Sequence, residues 1–402
     1  MRSVRPLLFI AILCIAVAAA VILTSDRGPG HIDAVALSEG EYDTIALDTT
    51  LQDMERAGYR IGDLVKVSFG EDEFTVTYVR SYAGIGVMGG FLSTSESSGD
   101  DTVRLGYFNV DVWELTGISV GDRIGLDYGG KDPNISKIPN YLAGYNSHYD
   151  GSITEEQFCN FRELTGPGMK EGTIYRSVSP YGAGYESTPM VNGLYEEIGI
   201  GYIVDVGDGD SKVQKCREAY GDDLYSVRLY DSGEAFVEYI SPDINLRPDG
   251  VRKVMLALTE SEGKTVICCH LGKDRTGFIC AMLQALAGSD YEDVKREYML
   301  SYVYLYNVEE GSEEYETLGK MMFDRCFYLM ENPGIEEQAE HFDWSVIDGY
   351  EFDAKAITEK FLREQAGMTD EEMDLLMERI SKRSRNGSVD DCNIARCIKI
   401  EF

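Results

Sequence analysis

Between His31 and Tyr141 apolar and polar residues alternate in short runs, as in Leu64-Val65-Lys66-Val67-Ser68 and Phe74-Thr75-Val76-Thr77-Tyr78-Val79. A period of two is that of a strand with one buried face, so residues 31–141 are expected to form a small, barrel-like β domain. Gly62-Asp63 and Gly121-Asp122 precede such runs and read as turns that open strands. The stretch from Gly129-Gly130 to Gly151, with Pro133 and Pro139, reads as a linker, with its boundaries at 142–157. After it the period changes. Ile203-Val204 and Leu224 to Tyr230 read as strands, whereas Val251, Val254, Met255 and Leu258 recur at helical spacing behind Pro248-Asp249. Strand and helix in alternation predict, over residues 158–385, an α/β domain whose mostly parallel sheet is flanked by helices. Near its end Thr369 and Glu372 make a capping box ahead of the apolar stripe Met373, Leu376, Met377 and Ile380. Residues 386–402 read as a tail.

The ends and the charge add two constraints. Residues 1–24 carry Arg2 and Arg5 and then an apolar run from Leu7 to Leu23. At ~1.5 Å per residue this apolar helix can just cross a bilayer, and it exceeds the ~7–15 apolar residues of a cleaved signal peptide. A signal anchor is expected, with the rest of the chain outside the cytoplasm; cleavage and secretion are the alternative. The formal net charge of -33 opposes nucleic acid and anionic lipid as general partners, so any basic site is local. Nine cysteines in 402 residues, at positions 14, 159, 216, 268, 269, 280, 326, 392 and 397, are too sparse for a disulfide scaffold, although Cys392 and Cys397 could pair. With four histidines and no H-E-x-x-H, no metal centre and no cofactor are expected.

The segment that carries chemistry runs from Lys264 to Gly277 and continues as an apolar stretch, Phe278 to Leu286. It reads as strand, tight loop and helix, the loop spanning Cys269 to Arg275 and the helix ending before Gly288. Such a loop aims backbone N–H groups into one cavity at a helix N-terminus, where an anion such as phosphate fits. Those dipoles, with a nearby guanidinium, favour a thiolate at Cys269, the expected nucleophile. Arg275, six positions later, can hold two phosphate oxygens with its planar fork. Gly272 leaves room for the turn, and Thr276 can hydrogen-bond the thiolate. His270, Leu271, Gly272, Lys273, Asp274 and Gly277 complete the expected substrate-binding loop, Lys273 adding positive charge. Gly-x4-Gly-Lys-Ser/Thr is not spelled here, which removes a nucleotide-binding reading.

At Cys269 to Gly277 the chain resembles the signature loop of the atypical bacterial tyrosine phosphatases of the secreted, LipA-like group. Further motifs extend the resemblance from about Phe158 to Ile380: Asn160-Phe161-Arg162-Glu163-Leu164, Ile174-Tyr175-Arg176-Ser177, Ile203-Val204-Asp205, Tyr298-Met299-Leu300-Ser301 and Ala366-Gly367-Met368-Thr369. The resemblance implies a cysteine-phosphatase fold and a phosphocysteine intermediate. It implies action on phosphotyrosine, often on phosphoserine, phosphothreonine or phosphoinositides too. The family's His before the nucleophile is Cys268 here, and the arginine of its Asp-Leu-Arg motif is missing, Asp205 being followed by Val206-Gly207. Cys268 beside Cys269 reads as a buried strand thiol rather than a redox pair. In the N-terminal region, Asp63 to Tyr82, Thr94 to Asn109 and Gly117 to Asp122 resemble the C-terminal β-barrel of SAM hydroxide adenosyltransferases, which implies a fold only.

Departure of the alcohol needs a proton, which a carboxylic acid usually supplies. Asp231 is the expected donor, at the end of Ser226 to Tyr230 where the resembling family places its acid; Asp274 is the competitor. Asp205, Asp208 and Asp210 are weaker candidates, read rather as a solvated turn after a strand. The expected function is therefore a protein tyrosine phosphatase, possibly of dual specificity. A phosphoinositide or inositol phosphate phosphatase is the alternative, and an inactive phosphate-binding surface module is a second.

Overall fold

The alternation upstream of residue 132 is resolved by closing strands on themselves. In a computed structural model, which describes residues 28–39, 44–79, 90–94, 101–107, 112–133, 135–240, 247–333 and 344–382, seven strands form a closed barrel. They are β1 (Ile32–Glu39), β2 (Ile45–Thr50), β3 (Asp63–Phe69), β4 (Asp72–Tyr78), β5 (Gly90–Thr94), β6 (Thr102–Tyr107) and β7 (Arg123–Lys131). Their order is β1-β2-β6-β5-β4-β3-β7, and β7 pairs back onto β1. Every pairing is antiparallel except β4 with β5. Alternate residues such as Ala34, Leu47, Val65, Val67, Leu105 and Leu126 fill the interior. Closure removes the sheet edges that would otherwise need cover. Gly62 and Gly121 take φ of 89° and 94° in the expected turns.

The expected linker is built differently. Gly129 and Gly130 belong to β7, and the chain then makes a 3-10 turn at Ile135–Lys137 and a short helix, Pro139–Ala143. Glycine and proline here shape turns without loosening the chain, because Ile135, Ile138 and Tyr141 enter the same apolar core as the helices that follow. Asn140 and the Tyr141 backbone N–H each donate to the Glu314 carboxylate at 2.9 Å.

The second layer is a five-stranded sheet of order β11-β10-β12-β9-β8, with β8 (Arg162–Glu163), β9 (Ile174–Val178), β10 (Tyr202–Asp205), β11 (Ala235–Val237) and β12 (Thr265–Cys269). It is parallel apart from the β8–β9 pair. The central strand β12 is buried along its length, as expected for a β-branched run covered on both faces. Behind it the helix Asp274–Leu286 is buried at every position from Thr276 to Leu286, so it is apolar all round rather than striped. The helix Pro248–Glu260 buries Val251, Val254, Met255 and Leu258, and the Thr369 capping box opens the helix Asp370–Ile380, both as expected.

One expected strand is a helix. Leu224 to Tyr230 falls in the helix Tyr225–Asp231, with Ser226 and Val227 turned inward, and the strand of this region is β11, further on. The run was short enough to satisfy either period, and packing against the helix Ser187–Ile198 chose the helical one. The expected apolar helix at Leu7 to Leu23, Cys14, and the tail with Cys392 and Cys397 lie outside the described residues. Among the described residues no helix is long and apolar enough to cross a membrane.

Candidate active site

Three parallel strands deliver their carboxyl ends to one place. Cys269 ends β12, with Val178 of β9 beside it in register on one flank and the Asp205 end of β10 on the other, opposite Cys268. Such a crevice at the carboxyl edge of a parallel sheet is where α/β folds bind ligands. Gly207 follows β10 so closely that a Cβ there would stand 2.8 Å from Cys269 Cα and from His270 N. Gly272 turns at a φ of 60° with its Cα against the Ser177 carbonyl, so neither a side chain nor another conformation fits. After that turn the 13-residue helix Asp274–Leu286 begins, its N-terminus at the loop.

What aims the loop is a set of buried donors that occupy its carbonyl oxygens. Asn160 Nδ2 donates to the carbonyls of Leu271 and Gly272, each at 3.0 Å. Arg176, fully buried on β9, donates to the Gly272 carbonyl at 2.6 Å and to that of Lys273 at 3.4 Å. With these carbonyls held outside, loop N–H groups other than that of Gly272, which donates to the Cys269 carbonyl at 3.0 Å, are left for the cavity. The donors are themselves fixed by the helix Tyr291–Tyr306. Its Glu297 accepts from Arg162 Nε and Arg176 Nη1, both at 2.7 Å. Ser301, one turn on, meets Asn160, Arg162 and Arg176. Burial alone would raise the Glu297 carboxyl, but the two guanidinium groups hold it below its usual range. Asn160 has a φ of 49°, a conformation asparagine tolerates. Glu297 was missed in the sequence; its spacing of four from Ser301 was the available signal.

Around this frame the expected residues separate. Arg275 Nη1 donates to the Ile240 carbonyl at 3.0 Å, and its guanidinium lies 5.4 Å from the centre of the Tyr239 ring. Burial works against that charge, yet Cys269 and its neighbours hold the guanidinium above its ordinary value. Thr276 is buried, and its Oγ1 has no hydrogen-bond partner, which leaves a spare donor in the first turn behind the loop. Gly277 lets that turn sit against Tyr298. His270 packs edge-on to Tyr185; burial, then the Lys212 charge, lowers its pKa and keeps it neutral. His270 and Leu271 also line a groove whose other walls include Tyr145, Phe158, Tyr185 and Leu305.

Two expected roles need correction. Asp231 stands in the last turn of its helix, where Arg217 Nη2 and Nη1 hold its carboxylate at 2.6 and 3.0 Å. That pairing lowers its pKa and favours the ionised form, which works against the expected role of proton donor. Lys273 is 1% exposed and turns away from the cavity into a cage of tyrosine rings. Asp274, by contrast, keeps a side chain 42% exposed, touched by the Tyr302 hydroxyl at 3.2 Å and Lys273 Nζ at 3.4 Å.

The expected solvated turn after β10 is also buried. Asp205 and Asp208 both reach the Ser179 hydroxyl, at 3.0 and 2.5 Å. One hydroxyl proton cannot serve two carboxylates, so one acid carries a proton. Burial and then the Asp208 charge raise Asp205 to about 7, which favours it as the protonated partner below that pH. Asp210, next along, accepts from the exposed Tyr230 hydroxyl. Cys268 is a free thiol, wholly buried beside Asp205, as expected of a strand thiol. Among the described residues no cluster of side chains suits a metal ion.

Comparison with known proteins agrees over the second layer. A family model described as "Tyrosine phosphatase family" matches residues 153–382. No curated protein matches the chain. Among solved structures, an uncharacterized conserved protein from Thermotoga maritima is similar over 25% of this chain at 12% identity, with a TM-score of 0.22. The matched part spans 38% of that structure's chain, and the likeness is too slight to carry any argument.

Proposed function

Because this chain belongs to the tyrosine phosphatase family, we propose that it hydrolyses phosphomonoesters, phosphotyrosine above all, through a phosphocysteine intermediate on Cys269. The observation that carries this reading is the loop after β12, whose carbonyls are taken by Asn160 and Arg176 while its nucleophile and Arg275 stand at a helix N-terminus. In the first step the Cys269 thiolate attacks phosphorus as the ester P–O bond breaks. Loop N–H groups and Arg275 hold the equatorial oxygens. The leaving oxygen takes a proton from Asp274. A donor must come within hydrogen-bond reach of that oxygen, and Asp274, inside the loop, half exposed and 3.4 Å from Lys273, meets this condition better than the buried Asp205 or Asp231, which Arg217 holds at 2.6 Å. In the second step water attacks phosphorus and gives its proton to Asp274. Thr276 Oγ1 steadies the departing thiolate, and inorganic phosphate leaves.

The partly apolar groove beside His270 and Leu271, with Phe158, Tyr185 and Leu305 among its walls, supports an aromatic phosphomonoester such as phosphotyrosine. Caging of the Lys273 ammonium removes the spare charge that favoured inositol phosphates or phosphoinositides. The test is phosphate release from a panel of phosphopeptides, lipids and inositol phosphates. Cys269→Ser should abolish turnover and leave binding measurable, whereas turnover above about a hundredth of wild type would overturn the assignment. The apolar run Leu7 to Leu23 further supports a membrane-tethered enzyme acting outside the cytoplasm. Full-length chain recovered as a soluble cytoplasmic species would refute that.

A further inference from the structure

The ammonium of Lys273 is buried, and the carboxylate nearest to it, that of Asp274 at 3.4 Å, is itself half exposed, so this charge is costly to bury without further partners. Its surroundings are built to hold it. The Tyr141 hydroxyl accepts from Nζ at 3.0 Å. The faces of Tyr141, Tyr302 and Tyr306 lie at 4.6, 4.8 and 5.0 Å from it, all within cation–π range. Tyr302 and Tyr306 stand one turn apart on the helix that carries Glu297. Tyr141 comes from elsewhere: it lies upstream of the family-matched residues 153–382, on the short helix that follows the barrel. Tyr141 packs at a tilt against both other rings, with centroids at 5.6 and 4.7 Å, and its backbone is pinned by Glu314.

We propose that Tyr141 is a positioning residue for the phosphate loop, acting through Lys273, so that the connector from the barrel completes the catalytic site. Lys273 is the residue at which the chain leaves the Gly272 turn and enters the helix, and its carbonyl accepts from Arg176 and from the Gly277 N–H. Anchoring its side chain on the far side of the loop fixes how the following Asp274-Arg275 pair is presented. The Tyr141 hydroxyl and ring both meet a charge that is shut away from water, so loss of both frees the ammonium to leave the cage and takes the loop with it.

The proposal rests on the phosphatase reading, and full-length protein tests both. Competitive inhibition by inorganic phosphate is measured alongside kcat and KM for an aryl phosphate and the thermal midpoint. Tyr141→Leu should weaken phosphate inhibition and raise KM about tenfold, equivalent to ~1.4 kcal/mol. Tyr141→Phe, which keeps the ring, should recover most of that loss. In a Lys273→Met background, where no charge needs caging, Tyr141→Leu should change phosphate inhibition less than twofold. A lowered thermal midpoint with unchanged phosphate inhibition would overturn the positioning role and leave the phosphatase reading intact. An equal effect of Tyr141→Leu with and without Lys273 would overturn the route through the ammonium. Wild-type protein that neither binds phosphate nor turns over would overturn both readings.

Discussion

Glu297 is the point on which the loop's geometry turns, and its replacement gives the most quantitative expectation. Its two oxygens each take a 2.7 Å ion pair, from Arg162 and Arg176, with side chains 12%, 13% and 0% exposed. Glu297→Gln keeps the shape and removes the charge, leaving two adjacent guanidinium groups with little access to water. Removal of one partner from a buried pair costs about 3–5 kcal/mol, a large share of the ~5–15 kcal/mol that stabilises a domain. With a urea slope of about 3 kcal/mol/M, the unfolding midpoint should fall by about 1 M at unchanged slope. Phosphate affinity should fall too, because Arg176 is the donor to the Gly272 and Lys273 carbonyls. A second variant separates the effects: Arg162→Met, Arg176→Met and Glu297→Met together bury no charge and should recover most of the stability. They should not recover phosphate binding, since the loop carbonyls lose Arg176. A midpoint shift under about 0.2 M for Glu297→Gln, or full phosphate affinity in the triple variant, would refute the argument.

Asp274→Asn should slow an alkyl phosphate by ~10²–10⁴-fold and a nitrophenyl phosphate far less, because only the alkoxide needs the proton. Asp231→Asn should slow neither; the opposite pattern would exchange the two roles. Asp205, raised from 3.8 to about 7, holds its proton in the folded state, so this group stabilises the fold below about pH 4 and the contribution is lost as pH rises through 7. The slope can reach ~1.4 kcal/mol per pH unit, and chemical denaturation of Asp205→Asn across pH 4 to 7 should show it flattened. Gly207→Ala would press a methyl group onto the Cys269 backbone, which should cost ~1–3 kcal/mol of stability and lower kcat at least about tenfold, read by thermal melts and steady-state kinetics.

The sequence determined those features that follow from local order. The strand, turn and helix around Cys269 are contiguous, so backbone period, the Gly272 turn and the Cys–Arg spacing were readable without a fold. The same holds for the alternating barrel strands and for the Thr369 cap, whose partners lie within a few residues. The barrel's closure was not local, since it joins β1 to β7 across most of a domain. Tertiary structure decided the charges. Asp231 and Asp274 are both carboxylates near strand or helix ends in the sequence, and only the fold brings Arg217 to within 2.6 Å of one and Lys273 to 3.4 Å from the other. Lys273 reads as substrate-facing until three tyrosines, one from the supposed linker, surround its ammonium. Asp205 reads as solvated until Asp208 and Ser179 close over it. In each case the energy of an ionised group is set by what surrounds it in space, and those neighbours come from segments far apart in the chain.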